Sequence, residues 1–238
     1  MKKLKYVLIP VICLGLISCN QQKNKDTELV LEMKGSTQTE PFNLAQLKTG
    51  QNINEILKSA GATAKEAVRT SEVTLIGNEK LAFSSKELLH FNGIDLEGKN
   101  NKNTNKVILH FGKVDQEIGP LANEKEDELG MYQLDIYTEQ EKTALLDNLN
   151  KTLQKPSFDT IHEGFESEVK DNEIIQTQNK LRQEVAIWRN KDMLYYYCET
   201  KIDNRPDEYR CNLFVFKNKE WKDLLKGSGY PDLDKISL

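Results

Sequence analysis

From Lys106 onward, short apolar runs alternate with charged or polar breaks, and the pattern predicts most of the elements. "KVILHFGKV" and "GMYQLDIYT" read as strands, and "TEQEKTALLDNLNKTL" reads as a helix with Leu145, Leu146, Leu149 and Leu153 on one face. Thr138 and Glu141 have the spacing of a capping pair at its start. Further on, "NEIIQTQ", "LRQEVAIW", "MLYYYCET" and "EYRCNLFVF" predict an antiparallel meander with turns at Asn179 and at "RNKD". The amphipathic "NKEWKDLLKG" closes the meander with a helix, which "GSG" at 227–229 ends.

Before Lys106 the elements are shorter. "ELVLEM" at 28–33 is a strand candidate, and "NINEILKSAGATAKEAVRT" predicts two short helices, opened by Asn52 with Glu55 and by Thr63 with Glu66. "SEVTLIGNEKLAF" predicts a hairpin turning near Gly77 and Asn78, and "SSKELLHF" a short helix or turn. The polar, asparagine-rich "LEGKNNKNTNK" at 96–106 has no apolar anchor and predicts a boundary between a small domain at 28–98 and a larger one at 106–238. Offset by 79 positions, Leu134, Glu141, Leu145 and Leu146 coincide with Leu213, Glu220, Leu224 and Leu225, which suggests two related strand-then-helix units. The expected fold class is α+β: antiparallel sheets with short packed helices and a C-terminal meander capped by a helix.

The N-terminus has a different character. "MKKLKYVLIPVICLGLISCN" carries three lysines, then an apolar run too short for a permanent span, then a cysteine, the order of an export signal. "LISC" at 16–19 resembles the lipobox of bacterial lipoproteins. That resemblance implies cleavage after Ser18 and a lipidated Cys19, carrying palmitate-like acyl chains, as the mature N-terminus. It also implies a polar tether over 19–27 and a place in the cell envelope, at the outer membrane, facing the periplasm or the surface. Several acyl chains would hold the protein at the bilayer without any membrane-binding surface on the folded body. The run "FNLAQL", "INEILKSAGA", "VTLIGNEKLAFSSKELL" faintly resembles the oxidoreductase molybdopterin-binding domain. The cysteine that ligates the metal in that family has no counterpart here, so this resemblance implies a fold and not an activity.

Losing residues 1–18 removes three lysines and no acids, leaving 30 basic against 37 acidic residues, a net charge of −7. Nucleic acid is excluded as a partner, since no basic stripe exists to collect phosphates. The histidines His90, His110 and His162 show no metal-ligand spacing, and no glycine-rich phosphate loop or serine elbow occurs, so no cofactor is expected. "HEGFE" at 162–166 sets carboxylates near an imidazole; it follows Pro156 and reads as a loop.

Cys198 and Cys211 flank a charged loop that contains Lys201, Asp203, Asn204, Arg205 and Asp207. Zinc would need two further ligands, and redox pairs sit closer in sequence, so in an oxidising compartment the expectation is a disulfide between adjacent strands. The bridge would staple a candidate recognition loop. The functional expectation is a membrane-anchored binding module, non-enzymatic, whose partners are the bilayer, through Cys19, and an envelope protein or glycan. The alternatives are an envelope hydrolase using carboxylates or His162, and an inhibitor or toxin-immunity lipoprotein.

Overall fold

Strands β4 (Lys106–Phe111) and β5 (Leu129–Ile136), second and third in a seven-stranded antiparallel sheet, carry side chains buried on both faces. The computed structural model describes residues 41–68, 79–111, 127–170 and 173–237. Cys19, the tether, the strand candidate at 28–33 and the turn expected near Gly77 lie outside these residues.

The order across the sheet is β1-β4-β5-β9-β8-β7-β6, with β1 Glu79–Phe83, β6 Phe158–Lys170, β7 Glu173–Asn190, β8 Met193–Ile202 and β9 Arg210–Phe216. A two-stranded hairpin, β2 (His90–Phe91) and β3 (Ile94–Asp95), stands apart from it. The fold is α+β, and the C-terminal strands form the expected meander, followed by a helix. Residues 40–238 make one compact unit.

Strand alternation divides the apolar side chains between two layers. One face carries Leu109, Tyr132, Leu134, Tyr195, Tyr197, Cys211 and Leu213. It is covered by helix α1 (Ile53–Ser59), helix α2 (Glu139–Leu153) and the β2–β3 hairpin, through Ile56, Leu57, Leu145, Leu149 and Phe91. The opposite face carries Met131, Val185, Tyr196, Cys198 and Phe214 under helix α3 (Lys219–Gly227) and the C-terminal segment, through Trp221, Leu225 and Leu233. Because both faces are covered, all three consecutive tyrosines of β8 are buried.

Local chemistry accounts for the element ends. Asn52 Oδ1 accepts from the backbone N–H groups of Asn54 and Glu55, which starts α1, and Gly61, at φ +67°, ends its turn. Thr63 and Glu66 form the expected capping box. The capping pair expected at α2 does not form: Thr138 makes no side-chain cap bond, and its hydroxyl accepts instead from Asn105 Nδ2 at 2.7 Å.

That bond also explains the asparagine-rich stretch. Asn105 is fully buried, donates to Leu96 O as well, and accepts from the Tyr137 N–H at 2.7 Å. Asn100 Oδ1 receives the N–H groups of Lys102 and Asn103, closing a turn. A side chain at Gly98 would come within 2.8 Å of both Asn105 and Thr138, so the backbone approaches there as only glycine permits. The stretch expected as a boundary is therefore a pinned turn, and β1 pairs with β4 across it.

Three other expectations change. β7 runs unbroken through Asn179, with a register irregularity opposite Phe165 and Ser167 in place of a turn. "HEGFE" is part of strand β6 and not a loop. The related strand-helix units do place β5 beside β9, with Leu134 directly opposite Leu213. Their helices, however, pack on opposite faces, so the rotation that exchanges the two strands does not exchange α2 and α3.

Trp221 fills the second layer, with His110 edge-on at 5.6 Å. Trp221→Ala is expected to cost about 3–5 kcal/mol in urea unfolding, whereas Ile174→Ser at a site 79% exposed is expected to stay within about 0.5 kcal/mol.

Candidate functional site

The last strand pairing of the sheet builds the site. β8 stops at Ile202, opposite Leu181 of β7. Beyond that point β6 and β7 continue as a two-stranded ribbon, in which Phe165 faces Lys180 and Ser167 faces Gln176. Asn179, which suggested a turn, and Thr177 lie where the register shifts. There they receive Glu166: its Oε2 accepts from Asn179 Nδ2 at 3.0 Å and from Thr177 Oγ1 at 3.4 Å.

Glu166 Oε1 meets Arg205 Nη1 at 2.8 Å. One carboxylate thus ties the ribbon to the loop between β8 and β9. The loop is held further by the Asp203 N–H, which donates to Lys180 O at 2.9 Å, and by Arg205 with Glu208 at 3.3 Å. Asn204 turns the chain at φ +64°, and Asp207 lies in the 3-10 turn Pro206–Glu208.

These contacts replace the expected disulfide. Cys198 stands opposite Asn212 and Cys211 opposite Glu199, so the two cysteines project from opposite faces of the sheet, and both are free, buried thiols. A disulfide would need a one-residue slip that turned one whole strand inside out.

Next to the loop, buried charges hold Lys201 in place. Glu199 is almost fully buried; its Oε2 accepts from the Tyr197 hydroxyl at 3.0 Å, and its Oε1 lies 2.7 Å from Lys201 Nζ and 3.6 Å from Lys142 Nζ. The Lys201 contact is ionic and not an aligned hydrogen bond. Lys142 donates to Glu139 at 2.7 Å, and this holds the Glu139 carboxyl below its ordinary value against the effect of partial burial. Burial works to lower the Lys142 ammonium, but Glu139 and Glu199 together raise it. Lys201 also sits 5.4 Å from the centre of the Tyr209 ring, a cation–π distance.

The result is a cleft of about 460 Å³ on the α2 face of the ribbon, lined by Glu163, Phe165, Lys180, Arg182, Lys201 and Asp203. Two features singled out in the sequence meet here: the "HEGFE" strand and the charged loop. Glu163, Arg182 and Lys201 stand side by side across three strands. The adjacent like charges Arg182 and Lys201 are compensated by Glu184 at 3.1 Å and by Glu199. Phe165, 48% exposed, supplies an open apolar surface beside them.

His162 does not join this cleft. Alternation turns it to the other face, where its Nε2 meets Asp232 Oδ2 at 2.5 Å and fastens the C-terminal segment to β6. His110 contacts Gln133 at 3.2 Å beneath α3, in a chain that continues to the buried Asp135, to Asn212 and to Lys106. Among the described residues, no group of three or more His, Cys, Asp or Glu side chains is disposed to hold a metal ion. No helix among them is long and apolar enough to cross a membrane. A larger cleft of about 580 Å³ lies at the β7–β8 turn and includes Lys48, Lys191 and Lys217; none of the residues expected to act lines it.

Set against protein-family models, curated proteins and solved structures, the chain matches none of them.

Two outcomes are expected from these contacts. Arg205→Ala breaks a pair whose Glu166 is only 14% exposed but keeps its bonds from Asn179 and Thr177, so global stability should fall by about 1–2 kcal/mol, while hydrogen exchange over residues 202–209 rises. Burial also pushes the Cys198 thiol up from 9.0 to about 11, and burial raises Cys211 well above its ordinary value. Below pH 9.0 the thiol is protonated in both folded and unfolded chains, and its contribution to stability is intact. Between pH 9.0 and about 11 only the unfolded chain releases the proton, so the urea midpoint should fall with rising pH. Cys198→Ala should flatten part of that decline; an unchanged slope would rule the burial effect out.

Proposed function

We propose that this chain is the folded body of a membrane-anchored, extracytoplasmic lipoprotein that works as a binding module, without turnover, and that the cleft between the ribbon and the β8–β9 loop is its contact surface. The anchor in this reading is Cys19, acylated after removal of residues 1–18, which tethers the body to the outer membrane through a polar leash. The observation that carries the binding reading is the Glu166–Arg205 pin at 2.8 Å, which fixes the charged loop against the exposed Phe165. Such a surface offers a pre-ordered aromatic anchor with charges around it, the arrangement through which interfaces gain most of their affinity.

Catalysis is the weaker reading because the groups it would use point apart. His162 is committed to Asp232 on one face, while Glu163 opens onto the other. An inhibitor or immunity role is a special case of binding, with a single tight partner.

The test places a photo-crosslinking amino acid at Phe165 in cells, with a control at Ile174 near the ribbon tip. A discrete adduct formed from Phe165, and lost on Lys201→Glu, is expected. Metabolic acyl labelling that disappears on Cys19→Ser is expected alongside it. Turnover of an envelope glycan or peptide that is abolished by His162→Ala would sink the binding reading in favour of a hydrolase.

A further inference from the structure

β6 is the terminal strand of the sheet, and no described strand pairs with its outer edge. Natural edge strands of this length are guarded by charge, by bulges or by a covering element. Here the register shift after Phe165 ends the regular edge, leaving eight residues, Phe158 to Phe165, roughly 26 Å of open backbone at 3.3 Å per residue. On the cleft face this stretch presents Asp159, Ile161, Glu163 and Phe165 in strict alternation of acid and apolar side chains. Ile161 is 52% exposed and Phe165 48%, both unusual for large apolar residues beside an open edge. Among the described residues Asp159 and Glu163 enter no ion pair; Glu163 stands opposite Arg182, whose guanidinium is paired with Glu184 at 3.1 Å.

We infer that the β6 edge accepts an extended peptide segment of a partner protein, added as an eighth strand, whose side chains on the cleft face alternate basic and apolar. Backbone pairing supplies the attraction common to all strand additions, and the alternating face sets the choice of sequence. In a directly paired strand, each incoming residue on that face meets Asp159, Ile161, Glu163 or Phe165 across about 4.5–5.5 Å, the range in which opposite charges and apolar pairs stabilise a sheet. An acidic segment would meet like charges there and is rejected. A second copy of β6 is disfavoured for the same reason, because on this face it brings acids and apolar groups and no base. The inference rests on the binding reading above and adds the chemistry and geometry of the partner.

The probe is a synthetic ten-residue peptide alternating lysine with valine or phenylalanine, titrated against the purified protein by fluorescence anisotropy. Its controls are a peptide of the same composition with lysines and apolar residues in separate blocks, and an alternating glutamate peptide. Two further versions carry backbone N-methyl groups on one or the other alternate set of residues. Only one set of amides in a paired strand points at its neighbour. The inference expects binding by the alternating lysine peptide, loss on methylation of one set and tolerance of the other, and slower hydrogen exchange along β6. Glu163→Lys, checked for an unchanged urea midpoint, should weaken that peptide about tenfold and improve the glutamate peptide. Equal binding by the blocked peptide, or by both methylated peptides, would mean charge attraction without strand pairing and overturns the inference. So does a dimer of the protein alone that Glu163→Lys abolishes. Failure of every peptide while the Phe165 adduct persists overturns strand addition and leaves the binding module standing; loss of both removes both.

Discussion

The register in which β8 meets β9 decides which side chains share a layer. Cys198 opposite Asn212 and Glu199 opposite Cys211 put Tyr195, Tyr197 and Glu199 under α2, and Tyr196 and Cys198 under the C-terminal segment. With a side-chain period of two, a one-residue slip of β8 would carry Glu199, and Lys201 with it, into the apolar layer of Phe214 and Leu233 and leave Lys142 of α2 without that carboxylate. Burial on both faces makes such a slip more costly than in a sheet with one wet face. The register is thus held by packing and by ion pairs, with no covalent bond between the strands.

The candidate site inherits its rigidity from that register. Glu199 fixes Lys201, near the end of β8 just before the loop; Glu166 fixes Arg205, within the loop. Between these two points the loop closes one side of a cleft whose floor is the strand row Glu163, Arg182 and Lys201. The same construction leaves β6 without an outer neighbour among the described strands.

Period and capping made much of this legible in the sequence. Leu145 and Leu149, Asn52, the "RNKD" turn and the final helix all follow from spacing and from the needs of backbone donors. What spacing could not show was long-range pairing. Thr138 had a capping partner in Glu141, but the buried amide of Asn105, 33 residues away, took its hydroxyl. Asn179 had turn chemistry, but Glu166 takes its amide, with the Thr177 hydroxyl, at an irregularity in a continuous strand. The two cysteines lay in adjacent strands as expected, and only the exact pairing partner, a matter of one residue, separated a staple from two thiols on opposite faces. The loop residues and "HEGFE" were each visible as charged clusters, but that they would meet was not, because the ribbon that joins them is a tertiary object.

The cross-strand register is measured most directly by engineered disulfides. In the structure Glu199 and Cys211 are directly opposed, so Glu199→Cys should form a 199–211 bridge on mild oxidation and leave Cys198 a free thiol, as mapped by proteolysis and mass spectrometry. Asn212→Cys should likewise bridge to Cys198 and spare Cys211. A 198–211 bridge in the folded, unsubstituted protein would contradict the register and, with it, the division of the molecule into its two layers.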